Sequence, residues 1–322
     1  MESILVLTHT DESNALTKAS LEAISAGISL AAQLSASLTI GIVATDPTAA
    51  QTLAQTSARL LIVSGGAFAQ PRYATDAAAC EALCRAAAAT VVLAPASSRL
   101  ARVAAGVAHR LGGLIDTHIT AISTNPNIEV TRWFYRQRIE AVLTREARPW
   151  FLLLDPGTHP AFAAEPSTEP IAIEQVPVNL PVLRTTVIGL REPAHDQQTI
   201  RPDAKLLFVA GAGWTKKQSD GQPHTAEAAD LILGFLHSTS ASLGSSKSLV
   251  DQGSDNQPVL PFLTHLNQVG QTGATPRHAK GLSTCCHGEE PHVVGWRFIS
   301  SRRAISLDPN CGWTRGKADV VY

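Results

Sequence analysis

The first half of the chain alternates two kinds of segment, and that alternation most constrains its fold. Short runs rich in leucine and β-branched residues, at 4–7, 38–43, 60–63 and 90–93, are separated by longer alanine-rich runs at 16–34, 46–57, 74–88 and 101–111. Runs of four to six apolar residues suit strands buried on both faces, and the long alanine-rich runs suit the helices that connect parallel strands. The pattern predicts an α/β fold whose N-terminal domain is a three-layer α/β sandwich. The turns that follow the first and third strands, Thr10-Asp11-Glu12-Ser13 and Ser64-Gly65-Gly66, lie where ligands of such sheets bind, but neither has the pattern of a phosphate loop.

A chain of 322 residues has room for two domains, and 44% hydrophobic against 16% charged residues suits an ordinary globular core. With 26 basic and 27 acidic residues there is no basic excess to neutralise phosphates, which argues against a nucleic-acid partner. The longest apolar runs are strand-sized and no charged-then-apolar leader precedes them, so the expectation is a cytoplasmic chain without membrane insertion. Cys80 and Cys84 share one helix face, Cys285 and Cys286 are adjacent and Cys311 stands alone, an odd set that favours reduced thiols.

Between 155 and 203 prolines recur, at Pro156, Pro160, Pro166, Pro170, Pro177, Pro181 and Pro193. They remove backbone donors and break helices, so the segment is expected to be a linker, with an edge strand at 183–190. The boundary is placed at 196, giving domains 1–196 and 197–322. The second domain opens with a strand at 205–209 followed by Ala210-Gly211-Ala212-Gly213, and Lys216 stands where a dinucleotide fingerprint needs its third glycine.

Two later turns carry the chemistry. Leu243-Gly244-Ser245-Ser246-Lys247-Ser248-Leu249-Val250-Asp251 offers hydroxyls and a cation, and Gln268-Val269-Gly270-Gln271-Thr272-Gly273 sets an amide and a hydroxyl between two glycines. Glycines so placed let backbone N–H groups approach a ligand, which suits a planar oxygen-rich ring or a phosphate. This pair of turns, together with Ala94-Pro95-Ala96-Ser97, Arg110-Leu111-Gly112-Gly113 and Asp116-Thr117-His118-Ile119-Thr120-Ala121-Ile122 in the first half, resembles the electron transfer flavoprotein alpha subunit family.

The resemblance implies a first domain that pairs with a beta subunit and a C-terminal doubly wound parallel-sheet domain that holds FAD. It implies that Thr272 hydrogen-bonds flavin N5, that Lys247 replaces a family arginine over the ring to stabilise charge on the reduced flavin, and that His292 lies near the pyrimidine oxygen. Ser246, Val269, Gly270, Gln271 and Gly273 line the same pocket, and Ser306 replaces an asparagine that binds the adenosine side. His287 and Gly288 fall at the family's serine and glycine. Other positions depart from the pattern: the arginine of the glycine turn after 209 is missing, and Glu289 and Glu290 would repel a pyrophosphate. The chain stops before the family's next aspartate and closing helix, so either the sequence is truncated or the protein manages without them.

The function implied is that of an electron carrier rather than an enzyme, taking electrons from a flavin dehydrogenase to a downstream acceptor. One alternative is a flavin-free heterodimer scaffold of the same family. Another is a metal-binding hydrolase built on His278, Cys285, Cys286, His287, His292 and Cys311. His287 and His292 have a spacing seen in zinc sites, but adjacent cysteines fit poorly in one tetrahedral site, and no metal ligand is expected.

Overall fold

In the computed structural model the chain forms two compact units, Met1–Leu190 and Arg191–Tyr322. The structure describes residues 2–53, 55–124, 126–134, 139–163, 171–189, 200–201, 204–254, 260–270, 273–274, 278–284, 305–306 and 320–321.

The first unit follows the expected alternation: β1 (Ser3–His9), α1 (Lys18–Leu34), β2 (Ser37–Ala44), β3 (Arg59–Ser64), α2 (Tyr73–Ala86), β4 (Val91–Pro95) and α3 (Ser98–Arg110). Four further strands precede or follow the remaining loops: β5 (Leu114–Thr124), β6 (Ile128–Phe134), β7 (Ile139–Leu143) and β8 (Trp150–Leu154). With β9 (Ile173–Gln175) they form one nine-stranded sheet in the order β7-β6-β5-β8-β4-β1-β2-β3-β9. Only the β5-β6 and β6-β7 pairs are antiparallel.

Successive strand residues point to opposite faces, so each strand feeds two cores. Ile4, Val6, Ile40, Ile42, Leu93 and Trp150 meet α1 on one face. Leu5, Leu7, Val43, Leu61, Val92 and Phe151 meet α2 and α3 on the other. Small residues bring α1 close to the sheet: a Cβ added to Gly27 would stand 2.2 Å from Val6 Cγ2. The helix starts at Thr17, whose hydroxyl accepts the Ser20 N–H at 3.2 Å, and stops at Ser35, a left-handed residue with φ 50°.

Three details differ from the sequence expectation. Residues 47–53 form a 3-10 helix rather than an α-helix over 46–57. Pro47 opens it, the Asp46 carboxylate takes the Thr48 N–H at 2.8 Å, and the Thr52 and Thr56 hydroxyls bond carbonyls three residues back, so local side chains compete with an α-helical ladder. Residues 183–189 form no strand; the sheet instead gains β9 from inside the proline-rich stretch. The antiparallel extension β5-β6-β7 was not anticipated.

Cys80 and Cys84 lie buried on the inner face of α2, where burial pushes the Cys80 thiol up to about 12 and the Cys84 thiol well above its ordinary value. Neither should react with a thiol reagent in the native protein at neutral pH, and both should react on unfolding. Fast labelling of either cysteine in folded protein, read by peptide mass, would contradict this placement.

The second unit carries a parallel sheet of β10 (Leu206–Ala210), β11 (Ser242–Ser245) and β12 (Lys280–Thr284) in the order β11-β10-β12. Helix α4 (Thr225–Thr239) covers one face, with Phe235 against Phe208 at 5.2 Å between ring centroids. The short strands β13 (Ile305–Ser306) and β14 (Val320–Val321) pair in parallel.

Candidate cofactor site

In a doubly wound sheet, ligands gather at the carboxyl ends of the strands, most of all where successive connections change direction. In the second unit that switch lies at β10, with β11 on one side and β12 on the other. Three segments converge there. After β10, Gly211 leads into a 3-10 turn, Ala212–Thr215; after β11, Ser246 caps the one-turn helix α5 (Lys247–Val250); and the chain at 268–269 runs beside the end of β11.

The two turns singled out in the sequence are thus neighbours. Val269 N–H donates to the Ser245 carbonyl at 3.0 Å. Ser246 is fully buried: its N–H donates to Ala210 O at 2.9 Å and its hydroxyl accepts the Leu249 N–H at 3.2 Å. Lys247 is 57% exposed and ion-paired with Asp251 one turn along.

Of the glycine turn, the described amides of Gly270, Gly273 and Ala274 are turned inward rather than outward. Gly270, at φ 114°, donates to Ala274 O at 3.1 Å, Gly273 donates to Gly270 O at 3.3 Å, and Ala274 donates to Gln268 O at 2.7 Å. A Cβ on Gly273 would sit 2.2 Å from Gln268 O, so here glycine permits a tight closure of the chain on itself. Gln271, Thr272, His287, Gly288 and His292 lie outside the described residues, as do Cys285, Cys286 and Cys311. Ser306 lies in β13, in a pair with β14. His278 is buried and its Nε2 bonds the Arg201 carbonyl at 2.9 Å; among the described residues no group of three or more His, Cys, Asp or Glu could hold a metal.

Sequence reasoning overlooked Trp214 and Thr284. The Trp214 indole N–H donates to Thr284 Oγ1 at 2.9 Å and the Gly211 N–H donates to Thr284 O at 2.9 Å, joining the end of β10 to the end of β12. The sequence signal was a bulky aromatic following Ala-Gly-Ala-Gly at the end of a strand. Lys216 and Lys217, both exposed, follow this turn. With Lys247 they supply cations near the carboxyl ends of β10 and β11, which suits an anionic dinucleotide in charge, while the amides of Gly270, Gly273 and Ala274 are already bonded within the turn.

In the corresponding turns of the first unit the polar side chains bond to their own neighbourhood. Asp11 accepts hydrogen bonds from Ser13 N–H, Ser13 Oγ and Ala15 N–H, and Ser64 Oγ donates to Gln175. Between the ends of β1 and β4, His9 Nδ1 donates to Thr10 O at 3.0 Å, which leaves Nε2 to accept from Ser97 Oγ at 2.8 Å. Burial pushes the His9 imidazole below its ordinary value. The unfolded chain therefore takes up a proton below about pH 6.5 before the folded one does, and stability should fall by up to about 1.4 kcal/mol per pH unit as pH drops through that window. His9→Gln should flatten this slope in denaturant melts. An unchanged slope would place the titrating group elsewhere.

The first unit is a mostly parallel sheet with helices on both faces, and the second carries a parallel sheet with small-residue turns and cations near its strand ends, so both are α/β architectures. A family model described as the electron transfer flavoprotein domain matches residues 4–181, more than half of the chain, and the chain belongs to that family. No curated protein matches the sequence significantly. Proteins of the family are electron carriers that bind flavin and work with other subunits of the family and with dehydrogenases. No helix among the described residues is long and apolar enough to cross a membrane.

Proposed function

We propose that the chain is the alpha-type subunit of an electron transfer flavoprotein, with domains at 1–196 and 197–322, holding FAD in the second and pairing with a beta subunit in the cytoplasm. It takes electrons from a flavin dehydrogenase and delivers them to a downstream acceptor. The observation that carries this reading is the family match over the first unit, joined to a second parallel sheet at whose strand ends Ser246, Lys247, Val269 and Gly270 lie together. Gln271, Thr272, Gly273, His287, Gly288, His292 and Ser306 complete the proposed contacts.

When bound, the flavin supplies the redox chemistry. The chain's part is to bind and orient it: Lys247, with Lys216 and Lys217, offsets negative charge, and the Val269 amide on the Ser245 carbonyl fixes the two turns against each other. The backbone bonds already made by the Gly270, Gly273 and Ala274 amides favour a second reading, a flavin-free scaffold of the same heterodimer. A visible spectrum of the purified protein, alone and co-expressed with a beta subunit, separates the two. Oxidised-flavin bands that survive dialysis support the carrier; a colourless protein that still forms the heterodimer supports the scaffold.

A further inference from the structure

We propose that Trp214 is the aromatic wall of the cofactor site and stacks on a planar ring of the dinucleotide, an inference that rests on FAD binding in the second unit. The switch at β10 places the ligand crevice between the carboxyl ends of β10 and β12, and Trp214 spans that gap. Its hydrogen bond to Thr284 fixes the indole, because Thr284 Oγ1 itself donates to Val209 O at 3.1 Å and the Gly211 amide holds the Thr284 carbonyl. Trp214 is partly buried against the core cluster that includes Phe208, Ala212 and Ile232, and is not fully covered by it. An indole held by its edge is a ready stacking surface, and stacking tolerates any planar ring. Two rings of FAD qualify, the isoalloxazine and the adenine.

The test uses the full chain with FAD, riboflavin and AMP as separate probes. The difference in tryptophan emission between wild type and Trp214→Phe isolates Trp214, and FAD should quench that difference signal. Trp214→Leu should weaken FAD binding about tenfold, whereas Trp214→Phe, which keeps a ring, should lose about threefold or less. Quenching by riboflavin but not AMP assigns the isoalloxazine; the reverse assigns the adenine. If FAD binds with its visible bands but the Trp214 signal is unchanged, Trp214 only covers the core and the inference is overturned while the carrier reading stands. Should FAD fail to bind wild-type protein, both fall. If Trp214→Leu does not fold, the quench of the difference signal between wild type and Trp214→Phe still decides the question.

Discussion

Replacing Asp116 by alanine should cost about 2–4 kcal/mol of folding stability, because it leaves the buried Trp150 indole without an acceptor and the partly buried Arg132 and the more exposed Arg145 without their anion. Asp116 is 2% exposed and takes four hydrogen bonds: Arg132 Nη1 at 3.0 Å, Arg145 Nε at 3.0 Å and Nη2 at 3.2 Å, and the indole N–H of Trp150 at 2.9 Å. Burial opposes its ionisation, but the Arg145 and Trp150 hydrogen bonds and the nearby guanidinium charges outweigh that and hold the carboxyl below the usual carboxylate range. Its stabilisation is therefore complete above the unfolded carboxylate value, near pH 4, and is lost as pH falls through the lower folded one. The residue ties β5, β6 and the 145–150 segment together, so the antiparallel extension should loosen first. Chemical denaturation checks the size and amide exchange of β6 and β7 checks the place. A loss below about 1 kcal/mol would mean that the cluster is solvated and worth no more than a surface pair.

The second large effect is expected at Arg99. Its guanidinium grips Asp76 at 3.0 and 2.7 Å and the Phe68 carbonyl at 2.6 Å, joining α3, α2 and the turn that precedes α2. Asp76 is 1% exposed, and its remaining partner is the Arg72 N–H at 3.2 Å. Arg99→Met should destabilise by about 3–5 kcal/mol by leaving this carboxylate unpaired. Adding Asp76→Leu should recover much of the loss, since an apolar pair needs no desolvation. If the double variant is as unstable as the single one, the lost contact with Phe68 dominates rather than the orphaned charge.

What could be read in the sequence was whatever is decided locally. Runs such as 4–7, 60–63 and 91–93 are apolar at every position, and a strand covered on both faces satisfies them, so β1 to β4 and the helices α1 and α2 between them followed from composition and period. That the 243–251 and 268–273 turns matter together was suggested for a different reason, their order matching a family pattern; the fold sets them side by side through Ser245 and Val269. By contrast, β5 to β7 alternate half-heartedly between buried and exposed residues and depend on Asp116, a polar residue, to anchor them. Their existence rests on arginines brought from 16 and 29 residues away.

Tertiary structure also decided where the amides of the glycine turn go. The sequence determined that residues 268–273 could turn tightly, because glycine tolerates φ 114° at 270; whether the Gly270, Gly273 and Ala274 N–H groups met a ligand or the chain's own carbonyls depended on how the chain returns beside the end of β11. Trp214 shows the same division. Its identity was plain from the sequence, but its place across the ends of β10 and β12 exists only because β12, some 70 residues later, returns beside β10 and supplies Thr284. Hydrogen bonds between distant segments require the chain to be folded before they have partners, so the sequence alone determined the elements and their turns, and only the folded sheet determined which groups face the site.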